Sequence, residues 1–258
     1  MVTAKDIMRT VVSVKPDDSA TKARAMIRRW GNRALPVLND DNKIVGIVTR
    51  GDLLGITSSK TNITVEGIMN TNIISADPDE DVFSIAKKII STTARQIPVV
   101  KDSKFLGFVT SPDIINVFIE HDYQPVKKNI REVMQKDVIF VSPDEHISKV
   151  WDMLRKGGFN GFPVVDKGKV IGFVSRRDVF LRGGVRLSRE SGKARISSVS
   201  KIMKTLVVVA TEDKTTKDIA KLMLEKNVIR LPVVDSEEHM KLVGIVDAED
   251  ILRAYTSG

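Results

Sequence analysis

The sequence predicts an α/β fold of the α+β kind, built from four copies of one β-α-β-β-α unit. A methionine precedes a proline by 28 or 29 positions four times along the 258-residue chain, at Met8 and Pro36, Met69 and Pro98, Met134 and Pro163, and Met203 and Pro232. Later in each copy a glycine precedes an aspartate by six positions, at Gly46 and Asp52, Gly107 and Asp113, Gly172 and Asp178, and Gly244 and Asp250. Chance does not produce this register four times, so the chain is a repeat protein.

The elements of one copy are best seen in the first. A β-rich run at residues 11–14 leads into a Pro-Asp turn, which is a signal for the start of a helix. Apolar residues at helical spacing predict that this helix and its counterpart in copy three each bury one face; they are Ala23, Ile27 and Trp30, and Ile147, Trp151 and Leu154. Strands follow at residues 35–38 and 44–49, joined by a turn at 39–42, and a short helix from about Gly51 closes the unit.

The copies are predicted to occupy residues 1–56, 62–120, 127–182 and 196–258. A unit of about 50 residues leaves apolar sheet surface uncovered and is marginal alone, so the copies should pair. Copies one and two are joined by the short connector 55–64, whereas residues 121–129 contain a proline and no periodic apolar face. We therefore expect copy one to pair with two and copy three with four. Residues 182–198 carry five basic side chains and one acidic one, and are predicted to form a loop or a flexible arm.

Composition limits the class of protein. Hydrophobic residues make up 42% of the chain and charged residues 29%, as in ordinary globular proteins. The net charge of +8 and the isoelectric point near 9.6 favour polyanionic partners. The absence of cysteine excludes disulfides, thiolate metal sites and cysteine nucleophiles. Charges near the start of the chain and the lack of a long apolar run predict a soluble, cytoplasmic protein with no membrane partner.

The sequence shows no catalytic or metal-binding constellation. It has neither a G-x-x-x-x-G-K loop nor a G-x-G-x-x-G turn. The histidines His121, His146 and His239 lie in different copies, with no second ligand at metal spacing. The aspartates of the Pro-Asp turns are interpreted as helix caps; they are Asp17, Asp79 and Asp144. We therefore predict neither an enzyme nor a metal protein.

The Met, the Pro-Val and the terminal G-h-h-[ST]-x-x-D of each copy resemble the CBS domain, and the resemblance covers nearly the whole chain. It implies two Bateman modules, each a pseudo-twofold pair of CBS domains, which together form a flat, disc-like body. The layout is similar to that of stand-alone archaeal CBS proteins and of the γ subunit of AMP-activated protein kinase. Any resemblance to IMP dehydrogenase is limited to that enzyme's regulatory insert, since its catalytic cysteine has no counterpart here.

An adenosine phosphate needs acceptors for the ribose diol, donors for phosphate and an apolar slot for the base. A strand-end hydroxyl can donate to phosphate, and an aspartate three residues later can accept both ribose hydroxyls. By the resemblance, these roles fall on Thr49 with Asp52, Thr110 with Asp113, and Ser175 with Asp178. Copy four departs from the pattern because Asp247 replaces the hydroxyl, so Asp250 is left for a ribose and the phosphate position is in question. The alternative, that these pairs are only helix N-caps, stays open.

Basic residues two or three positions before the proline are, by the same resemblance, phosphate ligands. They are Arg33, Arg95 and Arg230, with the uncharged Asn160 in copy three. Arg50 and Arg176, directly after the hydroxyl residues, are further candidates. A solvated surface arginine is the alternative for each. Val12 and Ile74 of the opening segments either line an adenine slot or belong to the core.

We therefore expect a regulatory, energy-sensing protein without catalytic residues, which binds AMP, ADP, ATP or an S-adenosyl compound and acts on an effector protein. No other cofactor is expected, and homo-oligomerisation stays open. One alternative is a nucleic-acid-binding protein that uses the basic surface and the 182–198 arm, although 13 aromatic residues are few for base stacking. The other alternative is a scaffold with empty clefts.

Overall fold

The structure is a computed structural model that describes residues 1–56, 62–92, 94–156, 159–182 and 198–256. Within these residues the helices are α1 (Ala4–Ile7), α2 (Ala20–Trp30), α3 (Arg50–Leu54), α4 (Val82–Thr92), α5 (Ser111–Glu120), α6 (Ile147–Lys156), α7 (Arg176–Arg182), α8 (Thr216–Glu225) and α9 (Ala248–Thr256). The strands are β1 (Ala34–Leu38), β2 (Ile44–Thr49), β3 (Gln96–Lys101), β4 (Lys104–Thr110), β5 (Gly161–Asp166), β6 (Lys169–Ser175), β7 (Ala210–Thr211), β8 (Arg230–Val234) and β9 (Leu242–Asp247). Short 3₁₀ turns, Ile130–Glu132 and Val199–Lys201, open copies three and four.

Each copy contains one antiparallel hairpin, formed by β1 and β2, β3 and β4, β5 and β6, or β8 and β9. The predicted opening strand is wrong for the first three copies. There the opening segment joins the hairpin through a single parallel bridge, such as that between Val14 and Val37, whereas copy four has the two-residue strand β7 beside β8. In all four copies the residue directly after the opening methionine bridges to the neighbouring copy instead.

The main helix of each copy covers its hairpin with the predicted apolar face. Ala23 and Ile27 of α2 are fully buried, as are Ile147 and Leu154 of α6. The prediction is wrong for Trp30, because this last residue of α2 is 56% exposed beside the Arg29 guanidinium. The stripe of α2 therefore ends one turn before the helix does.

The helix caps lie later in the chain than predicted. The N-cap of α2 is Ser19 rather than Asp17, and Asp81 rather than Asp79 accepts the first amides of α4. Asp79 instead forms an exposed ion pair with Lys5. In copies one and two the Pro-Asp turn is complete before the helix begins, and a later residue caps the helix.

Copies one and two, and copies three and four, pair by exchanging their opening segments. Backbone bridges join these segments to the second hairpin strand of the sister copy: Arg9 to Phe108, Asn70 to Ile47, Gln135 to Ile245, and Lys204 to Phe173. The repeated methionines pack against the repeated glycines of the sister, with Met8 on Gly107, Met69 on Gly46, Met134 on Gly244 and Met203 on Gly172. The repeated methionine and the repeated glycine therefore meet in the contact between sister copies. We call copies one and two module A, and copies three and four module B.

Two hydrophobic cores join module A to module B. One core joins copies two and four, and within it the ring of Phe118 in α5 stacks on Tyr255 in α9 with centroids 4.8 Å apart. The other joins copies one and three through buried residues such as Ile27, Leu53 and Phe162. Burial of this apolar surface is the main force that holds the modules together.

In the described part of the chain, no helix is long and apolar enough to cross a bilayer. No cluster of three potential metal ligands is found there. The predicted arm at 182–198 lies almost entirely outside the described residues.

Candidate functional site

The hydroxyl and the aspartate of each Gly-to-Asp segment form a capping box in copies one to three. In copy one, the Thr49 amide and hydroxyl both donate to Asp52 Oδ2 at 2.7 Å at the start of α3. The same bonds join Thr110 to Asp113 and Ser175 to Asp178. These pairs therefore cap helices, and their role as ribose ligands stays a prediction. The cap uses only one carboxylate oxygen, so the second oxygen can take another partner.

The partner of the second oxygen differs between copies. Asp113 Oδ1 accepts from Arg9 Nε at 2.6 Å. Asp250 accepts from Gln135 Nε2, which lies 3.3 Å from one oxygen and 3.2 Å from the other. Sequence reasoning missed Arg9 and Gln135, although each directly follows the opening methionine of the sister copy. Among the described residues, the carboxylates that lack such a partner are Asp52 and Asp178.

Arg33 and Arg95 occupy equivalent places in copies one and two. The carbonyl oxygen of Arg33 accepts a hydrogen bond from the first residue of α3. The residues that accept the same bond from the first residues of α5, α7 and α9 are Arg95, Asn160 and Ile229. Arg230 therefore lies one position beyond the equivalent place in copy four.

The Arg33 guanidinium is half-buried, and no ion pair or side-chain hydrogen bond connects it to another described residue. Burial, followed by the positive charges of Arg95, Arg50 and Arg177, lowers the pKa of Arg33 to about 10, with Asp113 opposing the shift. The group is still charged at neutral pH. Its charge carries an electrostatic cost that a bound anion would relieve.

Arg50 and Arg176, predicted as further phosphate ligands, bind the ends of helices. Arg50 Nη2 donates to the Gly31 carbonyl after α2, and Arg176 Nη2 donates to the carbonyls of Leu154 and Phe159 at 2.7 and 2.6 Å. Burial and neighbouring arginines lower both pKa values, that of Arg50 to about 10. The buried Nε of each has no hydrogen-bond partner among the described residues. The nearby charge of Asp52 opposes the shift of Arg176.

Arg95 of module A reaches across to module B. Its guanidinium lies 3.7 Å from both Asp247 Oδ2 and Glu249 Oε1. It also donates to the Asn160 side-chain oxygen at 2.7 and 3.2 Å when that amide is oriented with its oxygen toward Arg95. Arg230 binds the same Asp247 oxygen at 2.5 Å. Two of the predicted phosphate ligands are thus paired with one carboxylate of copy four.

Asp247 and Asp250 together cap α9 with two carboxyl groups. Asp250 Oδ2 accepts from the Asp247 amide at 2.9 Å, and Asp247 Oδ1 accepts from the Asp250 amide at 3.2 Å. Burial opposes ionisation of Asp247, but Arg230 and Arg95 outweigh it and lower its pKa. Burial and then the Asp247 charge raise the pKa of Asp250 to about 7. The pair therefore holds about one negative charge at mildly acidic pH.

Arg33 and Arg95 line a narrow pocket between the modules, with a volume of about 200 Å³ including its mouth. The first residues of α5 and α9 form other walls, and helix N-termini favour anions. Glu249 also lines the pocket, and burial followed by the Asp247 charge raises its pKa. Its enclosed part measures only about 10 Å³, room for about one water molecule, whereas pockets for whole small-molecule ligands usually measure about 300–1,000 Å³. A ligand phosphate could therefore enter only if the walls of the pocket move apart.

The opening segments expose apolar side chains. Ile74 and its counterpart Ile139, each five positions after an opening methionine, are 40% and 48% exposed. Val12 is half-buried against the core of copies one and three. The core interpretation of Ile74 is therefore wrong, and its side chain is available to an apolar ligand group.

Residues 4–58, 65–120, 130–182 and 199–257 each match the sequence profile of the CBS domain. The chain belongs to the CBS-domain family. The prediction of four copies is confirmed. In this chain the CBS domains pair through the exchanged opening segments described above.

Similarity extends over the full length of some relatives. The chain is 27% identical to the uncharacterized protein MJ1225 of Methanocaldococcus jannaschii, with 96% of each chain covered. The crystal structure of MJ1225, described as a candidate archaeal homolog of g-AMPK, matches with a TM-score of 0.84 at 25% identity over 98% of this chain and 99% of that one. An uncharacterized protein of Pyrococcus horikoshii shares the fold, with a TM-score of 0.68 at 22% identity and coverage of 98% and 99%. Inosine-5′-monophosphate dehydrogenase of M. jannaschii is 35% identical over 52% of this chain but only 24% of the enzyme.

Proposed function

We propose that this chain is a non-catalytic regulatory sensor, which binds an adenosine-containing ligand in the clefts between sister CBS domains and thereby changes the activity of an effector protein. The observation that carries the proposal is the unpaired charge of Arg33. This half-buried guanidinium has no anionic partner within hydrogen-bond distance among the described residues, stands among other arginines and lines an intermodule pocket. A cation in such a place is matched by a ligand anion such as phosphate.

The carboxylates make a nucleoside phosphate a better match than free phosphate or nucleic acid. Asp52 and Asp178 each keep one oxygen outside the helix cap, and a ribose diol supplies the donors that such an oxygen accepts. A carboxylate repels a bare phosphate, so the nearness of Asp52 to Arg176 and of Asp113 to Arg33 favours a ligand with both a sugar and an anion. The exposed Ile74 and Ile139 offer apolar surface to a base.

The contact between the modules supplies a route from binding to signal. Binding can act as a signal only when the ligand favours one arrangement of the protein over another. Arg95 joins module A to Asp247 and Glu249 of module B. A phosphate that takes over Arg95 would weaken this link, and the relative position of the modules would respond.

The test uses the purified full-length chain. Mass spectrometry after denaturation should detect a retained adenosine compound, and calorimetry should detect binding of AMP, ATP or S-adenosylmethionine. Asp52→Ala should weaken the site in copy one by about tenfold, since hydrogen bonds to charged groups contribute about 1.5–3 kcal/mol. Asp218→Ala is the matched control, because Asp218 caps α8 with Thr215 in the same way outside the Gly-to-Asp segments. Absence of binding by every one of these ligands at millimolar concentration would contradict the proposal.

A further inference from the structure

The residue directly after the opening methionine occupies one structural position in all four copies. Its backbone bridges the second hairpin strand of the sister copy, one residue beyond the repeated glycine. The side chain at this position therefore starts near the sister's Gly-to-Asp segment. The chemistry differs among the copies, since the residues are Arg9, Asn70, Gln135 and Lys204.

These four side chains differ in whether they contact the aspartate of the sister copy. Arg9 forms an ion pair with Asp113, and Gln135 donates to Asp250. The Asn70 side chain instead accepts from the Asn72 amide. Within the described ranges, no hydrogen bond or ion pair joins Asn70 to Asp52 or Lys204 to Asp178. The second aspartate of each module is therefore occupied, and the first is open.

We propose that Arg9 is a specificity-determining residue of the copy-two cleft, where it competes with the ribose of an incoming ligand for Asp113. This inference rests on the proposed function. Gln135 competes in the same way for Asp250, but more weakly because its side chain is uncharged. Ligand consequently fills the clefts of Asp52 and Asp178, one in each module, before the other two.

The geometry of the ion pair explains the competition. Asp113 is only 4% exposed through its side chain, and Oδ2 is engaged by the Thr110 cap. Arg9 holds Oδ1 at 2.6 Å and reaches it from the sister copy, which is the side from which a cleft ligand must approach. A ribose diol would need the same oxygen, so the two cannot be bound there together.

The competition is reversible because little else fixes the arginine. The Arg9 side chain is 75% exposed, and the Asp113 contact is its one ion pair among the described residues. The exposed guanidinium can therefore turn into water without losing another hydrogen bond or ion pair to the described residues. Asp113 would not be left without a counter-charge on displacement, because Arg33 lies near enough for their charges to interact.

The experiment uses the full-length chain with Asp52→Ala and Asp178→Ala, in which the remaining adenosine affinity reports the two occupied clefts. Adenosine is the probe because it has the ribose diol without a phosphate, so a lost positive charge cannot weaken it directly. Adding Arg9→Asn, which copies the residue of copy two, should strengthen adenosine binding by about fivefold. Adding Lys204→Asn, which removes the same charge from the equivalent position without breaking a side-chain hydrogen bond or ion pair to any described residue, should leave affinity unchanged. Arg9→Gln is the second Arg9 variant, and its gain in adenosine affinity should be smaller than that of Arg9→Asn.

The outcomes are distinguishable. Unchanged or weaker adenosine binding on Arg9→Asn, in a chain whose parent binds AMP, overturns the role of Arg9 and leaves the proposed function standing. An equal gain for 2′,3′-dideoxyadenosine also overturns it, because that ligand has no diol to compete for Asp113. Failure of the unsubstituted chain to bind any adenosine compound overturns the proposed function itself.

Discussion

A β carbon on Gly107 would lie 2.9 Å from the backbone carbonyl oxygen of Arg9. The corresponding obstacle at Gly46 is the flexible side chain of Met69. The Arg9 backbone is held by two hydrogen bonds of 2.9 Å to Phe108, so it cannot retreat without opening the link between copies one and two. Two glycines of the same repeat position therefore face obstacles of very different stiffness.

Gly107→Ala should lower the free energy of unfolding by about 2–3 kcal/mol, and Gly46→Ala by about 1 kcal/mol, because overpacking costs most where the neighbour cannot move. Urea denaturation followed by circular dichroism measures both. The two variants share the change in unfolded-chain entropy, so each serves as the control for the other. Equal losses would contradict the distinction between backbone and side-chain obstacles.

The hairpins and main helices could be predicted because their signals are local. The strand Ile44–Thr49 has the predicted bounds, and Ala23 and Ile27 are buried as their spacing indicates. The opening strand was mispredicted because residues such as Arg9 bond to a hairpin about a hundred positions away, which no local pattern reveals. Trp30 was mispredicted because periodicity does not show where the covering hairpin ends.

In the candidate site, too, the features with local signals could be predicted and those set by contacts between copies could not. The helix-capping aspartates and Arg33 lie at fixed positions of the repeat, so the repeat pattern alone could identify them. The partners that decide their availability come from other copies: Arg9 for Asp113, and Asp247 for Arg95. Such partners depend on how the copies pair and how the modules pack, so the sequence alone assigns the charges but not the ion pairs.

Arg33→Met should stabilise the ligand-free chain and weaken AMP binding. Removing one of several mutually repelling guanidinium groups should raise the free energy of unfolding by about 1 kcal/mol, while AMP affinity falls about tenfold. Adenosine affinity should hardly change, because Arg33 is assigned to the phosphate. Thermal unfolding and calorimetry check the two effects, and Arg29→Met at an exposed position is the control. A less stable variant with unchanged AMP affinity would show that Arg33 is structural.

Asp250→Asn should alter how stability depends on pH. Asp250 keeps its proton in the folded state up to a pKa of about 7, whereas the ordinary value is 3.8. Between about pH 4 and 7 the folded state therefore binds more protons than the unfolded state, and stability falls as pH rises, by at most roughly 1.4 kcal/mol per pH unit. The variant lacks this decline, so its stability relative to the unsubstituted chain should be higher at pH 8 than at pH 5. Urea unfolding at both pH values measures the difference, and the opposite sign would refute the assignment.

Asp247→Ser should improve phosphate binding at copy four. The serine restores the hydroxyl found at Ser175 and keeps a capping oxygen for α9, while it removes the carboxylate that engages both Arg230 and Arg95. A buried carboxylate beside an incoming phosphate repels it, so the AMP affinity of this site should rise about tenfold on substitution, with a smaller change for adenosine. Glu249→Gln is the matched control: it removes a neighbouring carboxylate 3.7 Å from Arg95 but leaves the Arg230 pair intact, and should give a smaller gain. Calorimetric titration with AMP and adenosine gives the ratio of affinities for each chain. An unchanged ratio in Asp247→Ser would mean that Asp247 does not occupy the place of a phosphate.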